Sequence, residues 1–178
     1  QFYLKYGYKK RLSIQEALDC VTESDGCNYG NPYDAFRYGY YQGYASEEDY
    51  KFIGEKGQCK ASFYPIAAYV KQYGYGIQVN EETMKYALSV LGSFVFAINA
   101  NKIQNYLSGI IDFDSYECNP ANVDHAVTMI GYGTEYGKEY WIVKNSWGSD
   151  WGENGFFRIA FGKNCCGLQS YLFYSEIY

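Results

Sequence analysis

The chain has 178 residues, enough for one large domain or two small ones sharing an interface. Apolar residues make up 48% and charged residues 20%, a balance that fits a folded protein and argues against a disordered one. The net charge of −5 comes without a basic stripe, which argues against nucleic acid. No apolar run approaches the roughly 18–20 residues that span a bilayer.

In chain order, FYLKYG (residues 2–7) reads as the last turn of a helix capped by Gly7. The opening QFYLKYGYKK has no apolar core of a secretory signal. It starts as if inside an element, as a mature form, a fragment or a truncated gene model would. LSIQEALDC (12–20) follows, with Ser13 and Glu16 at capping-box spacing and Ile14, Ala17 and Leu18 as an apolar face. Asn31 before Pro32 predicts a capped helix continuing over 33–41. Ser46 before Glu47, Glu48 and Asp49 predicts a further helix start.

From about residue 64 the pattern changes. PIAAYV, GSFVFAI, HAVTMIGYG, EYWIVKNSW and GFFRIAFG are short β-branched and aromatic runs separated by glycines. One helix interrupts them, NEETMKYALSVL, with Asn80 as cap and Met84, Leu88 and Leu91 on one side. The expected class is α+β, with a helical subdomain over 1–64 and a β-rich, barrel-like subdomain over 65–178. A cleft between two such subdomains is a favoured place for chemistry.

The 23 tyrosines follow no fixed period, so a repeat architecture is not expected. Six cysteines, at 20, 27, 59, 118, 165 and 166, form no C-x-x-C pair, and one histidine cannot complete the usual zinc patterns. Disulfides in an oxidising compartment are the better reading, with no metal or cofactor.

That one histidine, His125, opens a strand-like run, and Asn145 closes another about twenty residues later. If the two runs are adjacent strands, the Asn145 carboxamide can orient the imidazole, leaving its other nitrogen for a nucleophile. Trp147 can cover the pair and exclude water. A lone histidine is more often structural, so the residues around it decide.

DHAVTMIGYG followed by YWIVKNSWGSDWGENGFFRI resembles the C-terminal half of papain-like cysteine proteases. LSIQEALDC is similar to that family's LSEQ-x-L-x-DC segment, GCNYGNP to its GCNGG-x-P segment, and CCGLQS to its CG-(L/I) ending. The matches span most of the chain in the right order. The resemblance implies a thiol endopeptidase with His125 as catalytic imidazole and Asn145 as its orienting partner. It implies Trp147 as the shielding indole and Trp151 as an aromatic wall on the leaving-group side. Gly30 would hydrogen-bond the extended substrate through its backbone, and Asp124 would offer its carbonyl near the scissile bond. Asn31, Pro32, Ala97, Val123, Ala126 and Tyr171 would build the pocket for the side chain two residues before that bond. The same resemblance pairs Cys20 with Cys59 and Cys118 with Cys166. It leaves Cys27 with a partner outside these residues and Cys165 as an extra thiol. Expected partners are peptide or protein substrates, a propeptide or a cystatin-like inhibitor. A monomer in a lysosomal or extracellular compartment is expected, with neither nucleic acid nor membrane bound.

Two features depart from the family. No C-G-(S/A)-C-(W/Y) motif is present, and the family spacing of roughly 130–150 residues places that cysteine roughly 5–25 residues before residue 1. The chain alone is therefore expected to lack the nucleophile and the oxyanion glutamine, and to be inactive. Tyr29 stands where the family has the first glycine of its pair, which means either that positive φ is not needed there or that the loop is altered. Tyr171 would fill the pocket floor and favour a small or medium apolar side chain. The alternative function is an inactive homologue acting as a binding or inhibitory module. A binding scaffold has no need of His125, Asn145 and Trp147 together, which favours the peptidase.

Overall fold

The computed structural model describes residues 2–178 and divides into two units. One runs through Gly74 and takes back Ser175–Tyr178; the other is Tyr75–Tyr174.

The first unit carries three helices, α1 (Phe2–Tyr6), α2 (Ile14–Cys20) and α3 (Pro32–Tyr41). Helix α1 stops where its glycine predicts: Gly7 has φ +77° and returns its N–H to Tyr3 O at 3.0 Å. Helix α2 is capped by Ser13, whose Oγ accepts from Glu16 N–H at 2.9 Å. The reciprocal half of the capping box is not made. Ser13 N–H donates to Ala45 O, and the Glu16 carboxylate turns inward to accept from Tyr38 OH and Ala45 N–H.

This corrects the expected apolar face of α2. Ile14 is 55% exposed, while Gln15 and Glu16 are almost fully buried. Gln15 is tolerated inside because its amide is fully used: Nε2 donates to Asp19 Oδ1 and Glu55 O, and Oε1 accepts from Ile53 N–H. A disulfide joins Cys20 at the end of α2 to Cys59. Helix α3 starts as its Asn–Pro pair predicts, with Asn31 Oδ1 accepting from Tyr33 N–H at 2.9 Å. The helix expected after Ser46 does not form. Ser46 Oγ accepts from Asp49 N–H and its carbonyl accepts from Tyr50 N–H, closing one turn, after which residues 51–53 have no regular structure. Strands β1 (Tyr44–Ala45) and β2 (Ile66–Ala68) pair antiparallel beside that turn.

In the second unit, α4 (Glu81–Leu91) is capped by Asn80 and buries Met84 completely. Seven strands make one sheet: β3 (Val70–Ile77), β4 (Phe94–Ile98), β5 (Ile110–Ile111), β6 (His125–Glu135), β7 (Lys138–Lys144), β8 (Phe156–Ala160) and β9 (Tyr171–Ile177). Their spatial order is β3-β9-β4-β6-β7-β8-β5; the β5–β8 pair is parallel. Val70–Gly74 and Ser175–Ile177 of this sheet belong to the first unit.

Alternation along β4 sends Phe94, Phe96 and Ile98 into the core and leaves Val95 and Ala97 on the other face. Val127, Met129, Trp141, Val143, Phe157 and Ile159 complete the buried layer. Each such side chain contributes roughly 1.5–3 kcal/mol on burial. Strands β6 and β7 form a hairpin through Tyr136 (φ +50°) and Gly137 (φ +78°), the two-residue turn that matches the right-handed strand twist. A disulfide between Cys118 and Cys166 staples the segment before β6 to the segment before β9.

Candidate active site

Antiparallel pairing brings the start of β6 beside the end of β7. Thr128 lies opposite Lys144, so His125 and Asn145 emerge at the same end of the hairpin. His125 Nε2 lies 2.8 Å from Asn145 Oδ1. The same oxygen accepts from Ser146 N–H at 2.8 Å, and the Asn145 backbone N–H donates to Gly155 O at 2.9 Å. Because a backbone N–H can only donate, the Ser146 bond fixes which end of the amide is oxygen. His125 Nε2 is therefore the protonated nitrogen and the donor. Nδ1 has no hydrogen-bond partner among the described residues.

Asn145 is 7% exposed and its Nδ2 has no protein partner, so the amide is held through its oxygen and backbone alone. Trp147 stacks on the imidazole with ring centroids 4.9 Å apart and planes tilted by 25°. Its other edge meets Trp151 at 5.0 Å in a near-perpendicular contact. Trp151 is itself anchored by Nε1–H to Gln104 O at 2.8 Å and by packing on Tyr106 and Phe157. Two indoles in series thus pack from the imidazole to Phe157 in the core.

The residue before the histidine is equally fixed. Asp124 N–H donates to Ile98 O, and its carboxylate accepts from Ala100 N–H at 2.8 Å and Asn101 Nδ2 at 3.1 Å. Ala97 pairs with Ala126 across β4 and β6. The β4–β9 register, Phe96 opposite Leu172, carries Tyr171 to the next place along, opposite Ala97. Two alanines and the 41% exposed Tyr171 therefore lie in a row on the sheet face opposite the Phe96 layer. Val123 precedes this row and packs near Gly167. A side chain at Gly167 (φ +83°) would strike Val123 and the Pro120 carbonyl.

Gly30, Asn31 and Pro32 belong to the first unit. Among the described residues, neither N–H nor C=O of Gly30 is hydrogen-bonded, and a Cβ there would meet the Ser24 side chain at 3.8 Å, an ordinary contact. The Asn31 side-chain oxygen is engaged as the cap of α3. Tyr29 answers the question raised by its glycine-like position. It is not among the residues with positive φ, so its backbone needs no glycine.

Sequence reasoning did not single out Ser146 or Gly155, which lock Asn145. The asparagine–glycine pair at 154–155, with φ +57° and +88°, was the available signal for the tight turn that aims the Gly155 carbonyl.

The remaining cysteines are Cys27, exposed in the loop before α3, and Cys165, buried. Burial pushes the Cys165 thiol up to about 11, and its Sγ lies 3.4 Å from Phe113 O. Among the described residues no cluster of His, Cys, Asp or Glu could hold a metal ion.

An imidazole held by an asparagine amide under an indole, on an α+β scaffold, is an arrangement suited to proton transfer in acyl-transfer chemistry. The chain belongs to the papain family of cysteine proteases, whose family model matches residues 1–176. It is similar to the viral cathepsin of Adoxophyes honmai nucleopolyhedrovirus, 40% identical over 172 residues that make up 96% of this chain and 50% of the relative. Pro-cathepsin H of Mus musculus is 40% identical over 163 residues, 88% of this chain and 48% of the relative. Among solved structures, the bromelain protease from Ananas comosus in complex with the E64 inhibitor superposes with a TM-score of 0.89 at 37% identity, covering 98% of this chain and 81% of bromelain. The chain spans about half the length of the curated relatives it matches.

Proposed function

We propose that these residues supply the proton-transfer half of a thiol peptidase that hydrolyses peptide bonds. The observation that carries the reading is the 2.8 Å His125–Asn145 bond beneath the stacked Trp147. With Nε2 donating to Asn145, Nδ1 is the nitrogen that exchanges a proton with the reacting groups. A cysteine thiolate attacks the peptide carbonyl, the imidazolium returns a proton to the leaving amine, and water releases the acyl-enzyme. Ala97, Val123, Ala126 and Tyr171 line the pocket for the substrate side chain two residues before the scissile bond. Tyr171 limits that pocket to small or medium apolar groups. Gly30 pairs its free N–H and C=O with an extended peptide, and Asn31 and Pro32 frame that stretch.

The nucleophile is not one of the six cysteines in this reading. Four are disulfide-bonded, and Cys165 is buried with a thiol that stays protonated at neutral pH. Cys27, exposed in the loop before α3, matches a structural cysteine of the family whose disulfide partner lies outside these residues. The 178 residues alone are accordingly inactive, and the attacking cysteine is contributed by other residues of the gene product. The two disulfides suit a lysosomal or extracellular compartment. The test compares the 178-residue chain with the complete gene product on a fluorogenic peptide. Alkylator-sensitive hydrolysis by the complete product alone is expected. Hydrolysis by the 178-residue chain refutes the assignment of the nucleophile. No hydrolysis by either refutes the peptidase and favours a binding module.

A further inference from the structure

We propose that Glu81 is a positioning residue that sets the selectivity of the pocket for the side chain two residues before the scissile bond; this rests on the pocket proposed for Val123 and Tyr171. Glu81 is the first residue of α4 and is 4% exposed. Four neutral donors converge on its carboxylate, two to each oxygen. Oε1 accepts from Asn164 N–H at 2.8 Å and from Gln169 Nε2 at 3.1 Å. Oε2 accepts from Gly162 N–H and Trp141 Nε1, both at 2.7 Å. A carboxylate suits this place, because every neighbour donates and the first turn of a helix favours negative charge.

Three of those donors belong to one loop, residues 161–170, between β8 and β9. That loop bears on both walls of the pocket. Its backbone at Gly167 packs so closely on Pro120 and Val123 that a side chain there would strike both. Ser170 Oγ donates to Pro120 O at 3.3 Å, and the loop ends on Tyr171, the first residue of β9. Just before α4, Gln78 N–H and Val79 N–H donate to Ser170 O and Gln169 O at 3.2 and 2.9 Å. The fourth donor, Trp141, is fully buried in β7. The carboxylate thus ties the loop's start (Gly162 and Asn164) and its end (Gln169) to the core at one point, and acts on Val123 and Tyr171 through the loop. A carboxamide of the same shape cannot replace it. Its NH2 would face two N–H donors, push the loop away and loosen both walls.

The experiment cleaves two fluorogenic peptides with the complete gene product, one carrying Val and one carrying Phe two residues before the scissile bond. The readout is the ratio of their kcat/KM values, which does not depend on how much of each preparation is active. The parent is expected to favour Val. Glu81→Gln should cut that ratio about fivefold, with the loss in KM for the Val peptide and kcat within about twofold of the parent. Gln169→Met keeps the carboxylate and its other three donors. It should move the ratio the same way by about twofold, and it decides the matter should Glu81→Gln not fold. A purely structural Glu81 would lower the melting temperature and the active fraction and leave the ratio and KM as in the parent. That result overturns the inference and leaves the peptidase reading intact. Absence of any alkylator-sensitive cleavage by the parent overturns both.

Discussion

Asn145 holds His125 through a single oxygen that also accepts from the next backbone N–H, so the imidazole proton on Nε2 is dictated by the main chain. Losing the amide frees the ring and removes a bond that strengthens when the imidazole is charged. Asn145→Ala in the complete gene product is expected to lower kcat/KM for peptide hydrolysis by about 10–100-fold, with binding of a substrate-like peptide little changed. Steady-state kinetics with a fluorogenic peptide checks this.

Trp147 is proposed as the cover of that bond. Its ring stacks on His125, and its edge rests on the anchored Trp151. Trp147→Ala should let water reach the Nε2 proton. Proton NMR is expected to show a slowly exchanging imidazole N–H resonance in the parent and a faster-exchanging one in the variant. Equal exchange rates would contradict the shielding role.

The thiols differ in environment. Cys27 is exposed, whereas Cys165 is buried with its titration pushed up to about 11, chiefly by loss of solvent. Iodoacetamide at neutral pH is expected to modify the native 178-residue chain once, at Cys27. After denaturation without reductant it should modify the chain twice. Intact-mass spectrometry counts the adducts, and peptide mapping locates them.

Glu153 binds Arg158 through both carboxylate oxygens, at 2.8 and 3.0 Å, and accepts from Gly109 N–H. The Arg158 guanidinium, followed by that backbone bond, holds the Glu153 carboxyl below its usual 4.5 despite partial burial. A lowered folded value means the stabilisation is fully present above the ordinary glutamate value and is lost as pH falls through the lowered one. Glu153→Gln should therefore lower stability by about 1 kcal/mol at pH 7. The two proteins should converge as pH drops well below 4.5. Urea unfolding at pH 7 and at low pH measures the gap.

Local signals in the sequence were reliable where local chemistry decides. Ser13, Asn31 and Asn80 cap the helices they were expected to cap, because each cap needs a bond only two or three residues away. Long-range polar burial was not legible. Ile14 is expected on the apolar face of α2 and is exposed, because Glu16 is drawn inward by Tyr38 and Ala45, 22 and 29 residues away. Glu81 reads as an ordinary acidic residue in a first helical turn. It is instead a buried hub accepting from Trp141 Nε1, Gly162 N–H, Asn164 N–H and Gln169 Nε2, all at least 60 residues distant. At the site, the His125–Asn145–Trp147 grouping was visible from motif order. The backbone lock from Ser146 and Gly155 was not, since it depends on how one turn closes. Tyr29 shows the opposite case: its residue type raised a question of strain that only its φ could answer.

His125 is proposed to transfer the proton in a thiol-dependent peptide hydrolysis. The most direct measurement is hydrolysis of a fluorogenic peptide by the complete gene product and its His125→Ala variant, each with and without a thiol alkylator. Turnover in the parent that is abolished by alkylation is expected, with loss of at least about 100-fold in the variant. Turnover that survives His125→Ala would contradict it.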